Sequence, residues 1–344
     1  MLGKMQINEK QQELYLGDIL DSQGLKESVK ATIKDRTGKV KGSIYELRAV
    51  IEDFRMQSVG GMEAGIDLYE ACIVPLLLSN CSTWLEIDEE AEDMLDSIQD
   101  LFGRVLMKLP ASTPRLAIRG AMGLLGMRWR VWEAKLLLYL AIQEQDEGGL
   151  ARDVLDQQVR MDWPGLGEEV RRICKDVGLP DITRDSVRIS KEDIKESIKY
   201  NNLKHLKTSM TEKGIKLKKM SQTDMSRRRD YMKWSVEEAR MALRLETYMF
   251  DCRVNMPARY QRDLKCHACL LDGSLSPDDL ARQPDEDQDH IEVCQGYSKL
   301  WQGLGSYNMR ARCQFFMKVK LQRLKDSTKQ KQQQQQQQQQ SAQQ

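Results

Sequence analysis

Residue types and motifs that carry common enzyme chemistry are scarce or absent in this chain. It has three histidines and contains no Gly-Lys-Ser/Thr phosphate loop, no Gly-x-Ser-x-Gly nucleophile elbow and no His-Glu-x-x-His motif. Its one Asp-Asp pair, Asp278 and Asp279, lies in an acidic stretch without the rigid setting that two-metal polymerase chemistry requires. The residues by themselves therefore predict no catalytic site.

Long apolar segments are also lacking. The longest apolar runs, 71–78 and 136–142, are too short to span a bilayer, and residues 1–10 contain no apolar core of a signal peptide. We therefore expect no membrane contact and an intracellular location, cytoplasmic or nuclear. In such a reducing compartment, closely spaced cysteines are more often metal ligands than disulfides.

Aromatic residues make up 6% of the 344 residues and charged residues 31%, a balance that favours a mainly α fold over a β-sandwich. The net charge of +1 predicts no partner, but the charges are unevenly distributed. The segment 86–100 carries acids and no bases, whereas 184–233 carries 15 Lys or Arg against 7 Asp or Glu. Opposite patches of this kind can orient a protein on a polyanion.

Apolar periodicity and end signals predict several helices. One is expected over 29–54, and one begins at Asp88, which can cap the free N–H groups of its first turn. The acidic face of this second helix is either a solvated surface or a functional one. Pro75 should kink or split an apolar helix over 66–78 unless it lies in the first turn of a new one. Ser235 and Glu238 match a capping box.

The segment Leu14–Leu20 resembles a short buried strand that runs into a turn at 21–24. A lone strand leaves its backbone edges unpaired, so it needs partner strands. The alternative is a small local hairpin.

A metal site is predicted near the C-terminus. Cys266 and Cys269 form a Cys-x2-Cys turn, and His290 and Cys294 lie four residues apart on one helical face. These four ligands form a closed set that suits tetrahedral Zn²⁺ in a structural role. His267 is a competing ligand, and free buried thiols with a surface histidine are the alternative. Four further cysteines have no partner at ligand spacing and read as core residues: Cys72, Cys81, Cys174 and Cys313.

The basic stretch 182–232 reads as a partly helical connector. Its two clusters comprise Lys213, Lys216, Lys218, Lys219, Arg227, Arg228 and Arg229. These side chains are candidates for weak, sequence-independent contacts with the phosphates of RNA or DNA, and a solvated charged linker is the alternative. The glutamine run 332–340 has nothing apolar to bury and is expected to be disordered.

Several of these stretches, in order, resemble the region that follows the catalytic palm in LINE-type (non-LTR) retrotransposon reverse transcriptases. Three motifs lie before the zinc motif: YLGDIL at Tyr15–Leu20, PLLLSNCSTW at Pro75–Trp84, and LPASTPRLAIRG with GLLGM at Leu109–Gly120 and Gly123–Met127. The Cys-Cys-His-Cys set resembles the motif that follows the polymerase in this family. The resemblance covers roughly residues 13–305.

The resemblance implies a thumb-like helical region over 1–181, the connector over 182–232, a zinc module over 233–325 and a polyglutamine tail over 326–344. The palm's aromatic-x-Asp-Asp loop, the fingers and the endonuclease are absent, so we expect no RNA-directed DNA polymerase activity from this chain alone. Its expected partners are nucleic acid and other retroelement protein parts. Two alternatives stay open: a protein-interaction module that kept the fold, and a decayed open reading frame without activity.

Overall fold

Helices account for most of the residues that the computed structural model describes, which confirms the predicted mainly α class. The described residues are 12–15, 17–53, 61–84, 87–109, 111, 113–145, 149–183, 188–212, 230–246, 311–323 and 325. The predicted zinc module's ligands and the glutamine tail lie outside them. Within the described ranges, no helix combines the length and the apolar character needed to cross a bilayer.

The N-terminal strands form a local hairpin. Strand β1 (Gln12–Tyr15) pairs antiparallel with β2 (Asp18–Asp21), and Leu14 lies opposite Ile19. Gly17 takes a positive φ of 87° between the strands, a conformation that glycine adopts without cost. Leu14 is 63% exposed and Leu20 48% exposed. The prediction of a buried strand is therefore wrong, and the hairpin alternative is confirmed.

The first long helix, α1 (Leu25–Asp53), lies under this hairpin and confirms the helix predicted from Val29. Its buried stripe runs along one face at helical spacing and includes Val29, Ile33, Val40 and Ile44. Two hydroxyls of α1 hold the second strand: Thr32 Oγ1 accepts from the Ile19 N–H at 2.8 Å, and Ser28 Oγ accepts from the Asp21 N–H at 2.7 Å. Side chains of α1 thus satisfy part of the strand's free backbone edge.

The segment that contains Pro75 is split as its sequence predicts. Helix α2 (Gly61–Leu68) widens into a π-turn (Tyr69–Ile73), and α3 (Val74–Leu78) follows with Pro75 in its first turn. The proline thus lies just after the π-turn, where the regular i to i−4 hydrogen-bond ladder is already interrupted, so the missing N–H costs less than inside an unbroken α-helix. A 3-10 turn (Cys81–Thr83) then leads to Trp84.

Three helices complete the first half of the fold: α4 (Glu89–Met107), α5 (Arg115–Met122) and α6 (Met127–Gln143). Asp88 caps α4 as predicted, because its carboxylate accepts from the Ala91 N–H at 3.0 Å. Helix α5 ends at Gly123, whose φ of 65° is the left-handed conformation typical of a helix end. Helix α4 packs along α1, so both line the larger core.

A second, smaller core lies where α6 meets α7 (Leu150–Arg160), α8 (Leu166–Val177) and α9 (Lys191–Glu212). Ile194 and Ile198 of α9 are fully buried in it, together with Val170 and Ile173 of α8. The two α9 residues belong to the predicted connector, and Leu206 and Met210 of the same helix enter the larger core. This part of the connector is therefore a packed helix.

The C-terminal elements return to the larger core. They are a 3-10 turn (Asp230–Lys233), α10 (Val236–Glu246) and α11 (311–323). Ser235 and Glu238 form the predicted capping box: the Ser235 Oγ accepts from the Glu238 N–H at 3.4 Å and lies 2.9 Å from the Glu238 carboxylate. Arg240 of α10 donates to the Leu106 carbonyl at the end of α4, at 2.9 and 3.1 Å. Residues on both sides of the predicted boundary at 233 thus share one core.

Candidate functional site

The predicted ligand and contact residues fall outside the described part of the chain. This applies to all four zinc ligands, Cys266, Cys269, His290 and Cys294, and to the connector residues Lys213, Lys216, Lys218, Lys219, Arg227, Arg228 and Arg229. Helix α9 ends at Glu212, so Lys213, the first lysine of the two basic clusters, follows it directly in sequence. Among the described residues, no group of three or more His, Cys, Asp or Glu side chains is placed to hold a metal ion.

Two of the motifs that carry the resemblance meet at one buried arginine. Arg36 of α1 donates to the Asp18 carboxylate at 2.6 Å and to the Gly17 carbonyl at 2.9 Å, both in the hairpin. The same guanidinium donates to the carbonyl of Ser79 in the second motif. Its centre also lies 5.4 Å from the ring centroid of Trp84, within cation–π range.

Asn80 strengthens this junction. Its Nδ2 lies 3.4 Å from the second Asp18 oxygen, and its own backbone takes the left-handed conformation with φ 57°. Asparagine tolerates that conformation better than most residues, because its short amide can bond locally. The two motifs therefore share a structural role, because together they build the surroundings of Arg36 from Asp18, Asn80 and Trp84.

The third motif is organised around a second, mostly buried arginine whose side chain is 12% exposed. Arg119 of α5 donates to Asp96 at 2.7 Å and to Asp100 at 3.3 Å, both on α4. Asp96 also lies 3.4 Å from the Met127 N–H at the start of α6, where an acidic group offsets the positive end of the helix dipole. Burial raises the pKa of the Asp100 carboxyl, and the Arg119 charge opposes that shift.

These ion pairs divide the acidic face of α4 into two parts. Glu89, Glu90 and Asp93 are exposed, as a solvated face predicts. Asp96 and Asp100 are buried and paired, so for them the solvated reading is wrong. Their partner, Arg119, follows Asp96 by 23 residues in sequence, and a count of charges within one segment does not reveal such a pair.

The cysteines that were predicted to lie in the core divide similarly. Cys81, Cys174 and Cys313 are buried, which confirms the prediction for them, and Cys72 on the π-turn is exposed, so for Cys72 it is wrong. Burial raises the pKa of the Cys81 thiol to about 11 and that of Cys313 to about 12. At neutral pH these two thiols are protonated and therefore poor metal ligands and nucleophiles.

A groove that the sequence does not signal runs along α9, opposite α5 and the start of α6. One end, a cavity of about 210 Å³, is lined by Asp93, Arg115 and the rings of Trp129 and His205. The other end, a cavity of about 280 Å³, is lined by leucines and by more basic than acidic groups, the basic ones including Arg130, Lys195 and Lys199. In the sequence these lysines contribute only to the positive charge of the connector, because nothing there shows that they face a cavity.

Comparison of the chain with protein-family models, with curated proteins and with solved structures finds no match. The resemblance to LINE-type reverse transcriptases therefore rests on the motifs alone and stays a prediction.

Proposed function

We propose that this chain is a non-catalytic C-terminal piece of a LINE-type reverse transcriptase that binds nucleic acid and holds one structural zinc ion. The observation that supports this best is the junction at Arg36, where the YLGDIL and PLLLSNCSTW motifs meet. The two motifs are far apart in sequence, and their joint contact with Arg36 gives a structural reason for both to occur in one chain. In the proposed function, the helical unit presents the connector and the zinc module to a template.

The connector would supply the affinity for nucleic acid. Lys213, Lys216, Lys218, Lys219 and Arg227–Arg229 would contact phosphates without reading bases, so binding would weaken steeply with salt. The plot of log affinity against log salt has a negative slope, and each lost phosphate contact with a single strand makes it less steep by about 0.7.

The test compares two triple variants in salt titrations with a fluorescent single-stranded oligonucleotide. Replacing Lys216, Lys218 and Lys219 with Gln should make the salt dependence less steep by about 2, because roughly three contacts are lost. The control replaces three other lysines with Gln. These are Lys34, Lys41 and Lys175, which are exposed and form no ion pair among the described residues. Equal weakening by both variants, or no binding by the intact chain, would refute the connector as the binding element.

The zinc site would order the residues between its two ligand pairs, since a closed set of four ligands serves folding rather than catalysis. The purified full chain should contain one equivalent of zinc. Cys266→Ser and His290→Ala should each lose it, whereas His267→Ala and the exposed-cysteine control Cys72→Ser should retain it. Absence of zinc from the intact chain would remove this part of the proposal, and loss in His267→Ala would reassign the ligand.

A protein-interaction module is the second candidate, and one surface favours it. Along α7 and the turn after it, large apolar side chains face solvent: Leu150 (80% exposed), Val154, Met161 and Trp163. Several large exposed apolar side chains on one short stretch of chain are the kind of surface that contacts with another protein use. A cooperative melt together with no affinity for RNA or DNA would favour this candidate, whereas a non-cooperative melt would indicate a decayed relic.

A further inference from the structure

The end of the α9 groove that contains Lys195 and Lys199, here called its basic end, has charged groups without partners among the described residues. Four cationic side chains from three helices line it: Arg119, Arg130, Lys195 and Lys199. Two carboxylates, Glu70 and Glu133, line it as well. Which of these groups already have partners decides what the groove can bind.

Both arginines have partners and are held in place. Arg119 donates to Asp96 and Asp100 of α4, as described above. Arg130 donates to the Glu70 carboxylate at 2.9 Å and to the Leu125 carbonyl at 3.3 Å. They form a rigid, nearly neutral wall, so they contribute shape and position more than net attraction.

The groups on α9 are different. Lys195 and Lys199 are exposed and lie four residues apart, hence on the same face of the helix. Within the described part of the chain, neither makes a hydrogen bond or an ion pair. Asn202, one turn further along, accepts from the Gly126 N–H through its Oδ1 at 3.1 Å. That bond fixes the orientation of the amide and leaves its Nδ2 as a donor with no described acceptor.

Counting partners among the described residues alone, the unpaired groups at this end of the groove are three donor groups, two of them charged, and one carboxylate, Glu133. A ligand that matches them has several acceptor oxygens and negative charge, and a phosphate group has both properties. We propose that this end of the groove binds a phosphate group through Lys195, Lys199 and Asn202. Glu133 sets an upper limit on the affinity, because its charge repels the same ligand.

The three residues of this site belong to the helical part of the connector, on α9, and are distinct from the two basic clusters that begin at Lys213. The phosphate could belong to a small ligand or to a nucleic-acid strand, and the chemistry of recognition is the same for both. Two probes distinguish these sources: inorganic pyrophosphate, measured by calorimetry at low salt, and a single-stranded oligonucleotide, measured by fluorescence anisotropy.

The variants are Lys195→Gln with Lys199→Gln, Glu133→Gln alone, and a control pair, Lys34→Gln with Lys41→Gln. The control removes the same charge from exposed positions of α1. All three change exposed or half-exposed side chains, and helical circular dichroism checks that each variant folds. Loss of two surface charge contacts, each worth about 0.2–1 kcal/mol, corresponds to a weakening of about 2-fold to 30-fold.

The expected result is weaker binding in the Lys195 and Lys199 pair, tighter binding in Glu133→Gln, and no change in the control pair. If pyrophosphate follows this order, the ligand is a small phosphate compound. If only the oligonucleotide follows it, the groove holds strand phosphates. Equal weakening in the control pair, or an unchanged affinity for both probes in the Lys195 and Lys199 pair, would overturn the proposal. The Lys216, Lys218 and Lys219 triple variant should leave pyrophosphate binding unaltered, so the failure of one proposal is distinguishable from that of the other.

Discussion

Replacement of Arg36 by methionine should destabilise the fold more than any other single arginine substitution on α1. The side chain of Arg36 is 8% exposed, and its guanidinium donates to two separate segments: Gly17 and Asp18 in the hairpin, and Ser79 at the end of α3. Methionine keeps the apolar stem of the side chain and removes all of these donors. The variant therefore isolates the polar contribution of the junction.

The magnitude follows from the groups that would lose their donor. Loss of the hydrogen bond to the Gly17 carbonyl and of that to the Ser79 carbonyl would each lower the free energy of unfolding by about 1 kcal/mol. A hydrogen bond to a charged group, here Asp18, contributes about 1.5–3 kcal/mol. Asp18 is 24% exposed and can be hydrated in part, so the lower end of that range applies. The expected loss in the free energy of unfolding is about 3–4 kcal/mol, similar to the value for breaking a buried ion pair.

Urea denaturation followed by helical circular dichroism measures this loss. The matched control is Arg48→Met on the same helix, which breaks only a partly exposed pair with Glu52 and should cost less than about 0.5 kcal/mol. A double-mutant cycle of Arg36→Met with Asp18→Asn should give a coupling of about 1 kcal/mol or more, since the two groups are in direct contact. A loss for Arg36→Met no larger than that of the control would refute the junction as a stabilising element.

Three further substitutions test the packing. Gly38→Ala and Gly42→Ala should each stabilise the protein by about 0.5–1 kcal/mol in thermal or urea unfolding, because an added Cβ meets open space and α1 gains helix propensity; destabilisation would contradict the exposed placement. Gly103→Ala should instead cost about 1–3 kcal/mol, since a Cβ there would overlap Ile118 of α5, and a neutral result would mean that the contact is loose. Asp88→Ala should cost about 1 kcal/mol at neutral pH through loss of the α4 cap. The pKa of Asp88 is lowered to about 2, first by the hydrogen bond from a backbone N–H. Its stabilisation is therefore present above pH 3.8 and lost as the pH falls toward 2, so intact protein and variant should converge in stability there.

Local chemistry made several features predictable from the sequence. Asp88 caps α4, Ser235 and Glu238 form a capping box, and Pro75 lies in the first turn of a new helix. Each depends on groups within a few residues of one another, where backbone geometry fixes what a side chain can reach. The helical period of α1 and α4 was visible for the same reason, because a buried stripe at 3.6-residue spacing leaves a pattern in the chain itself.

Tertiary structure alone decided which charges are buried and which lysines face a cavity. Asp96 and Asp100 belong to an acidic segment that reads as solvated, and Arg119 reaches both only because α5 folds back on α4. Nothing in the sequence around Arg36 sets it apart from other helix residues, yet the hairpin and the segment that follows α3 converge on its guanidinium. Lys195 and Lys199 count simply as connector charge until α9 packs beside α6. In each case the energy of a charged group depends on its desolvation and its partners, and both are set by contacts that no local pattern encodes.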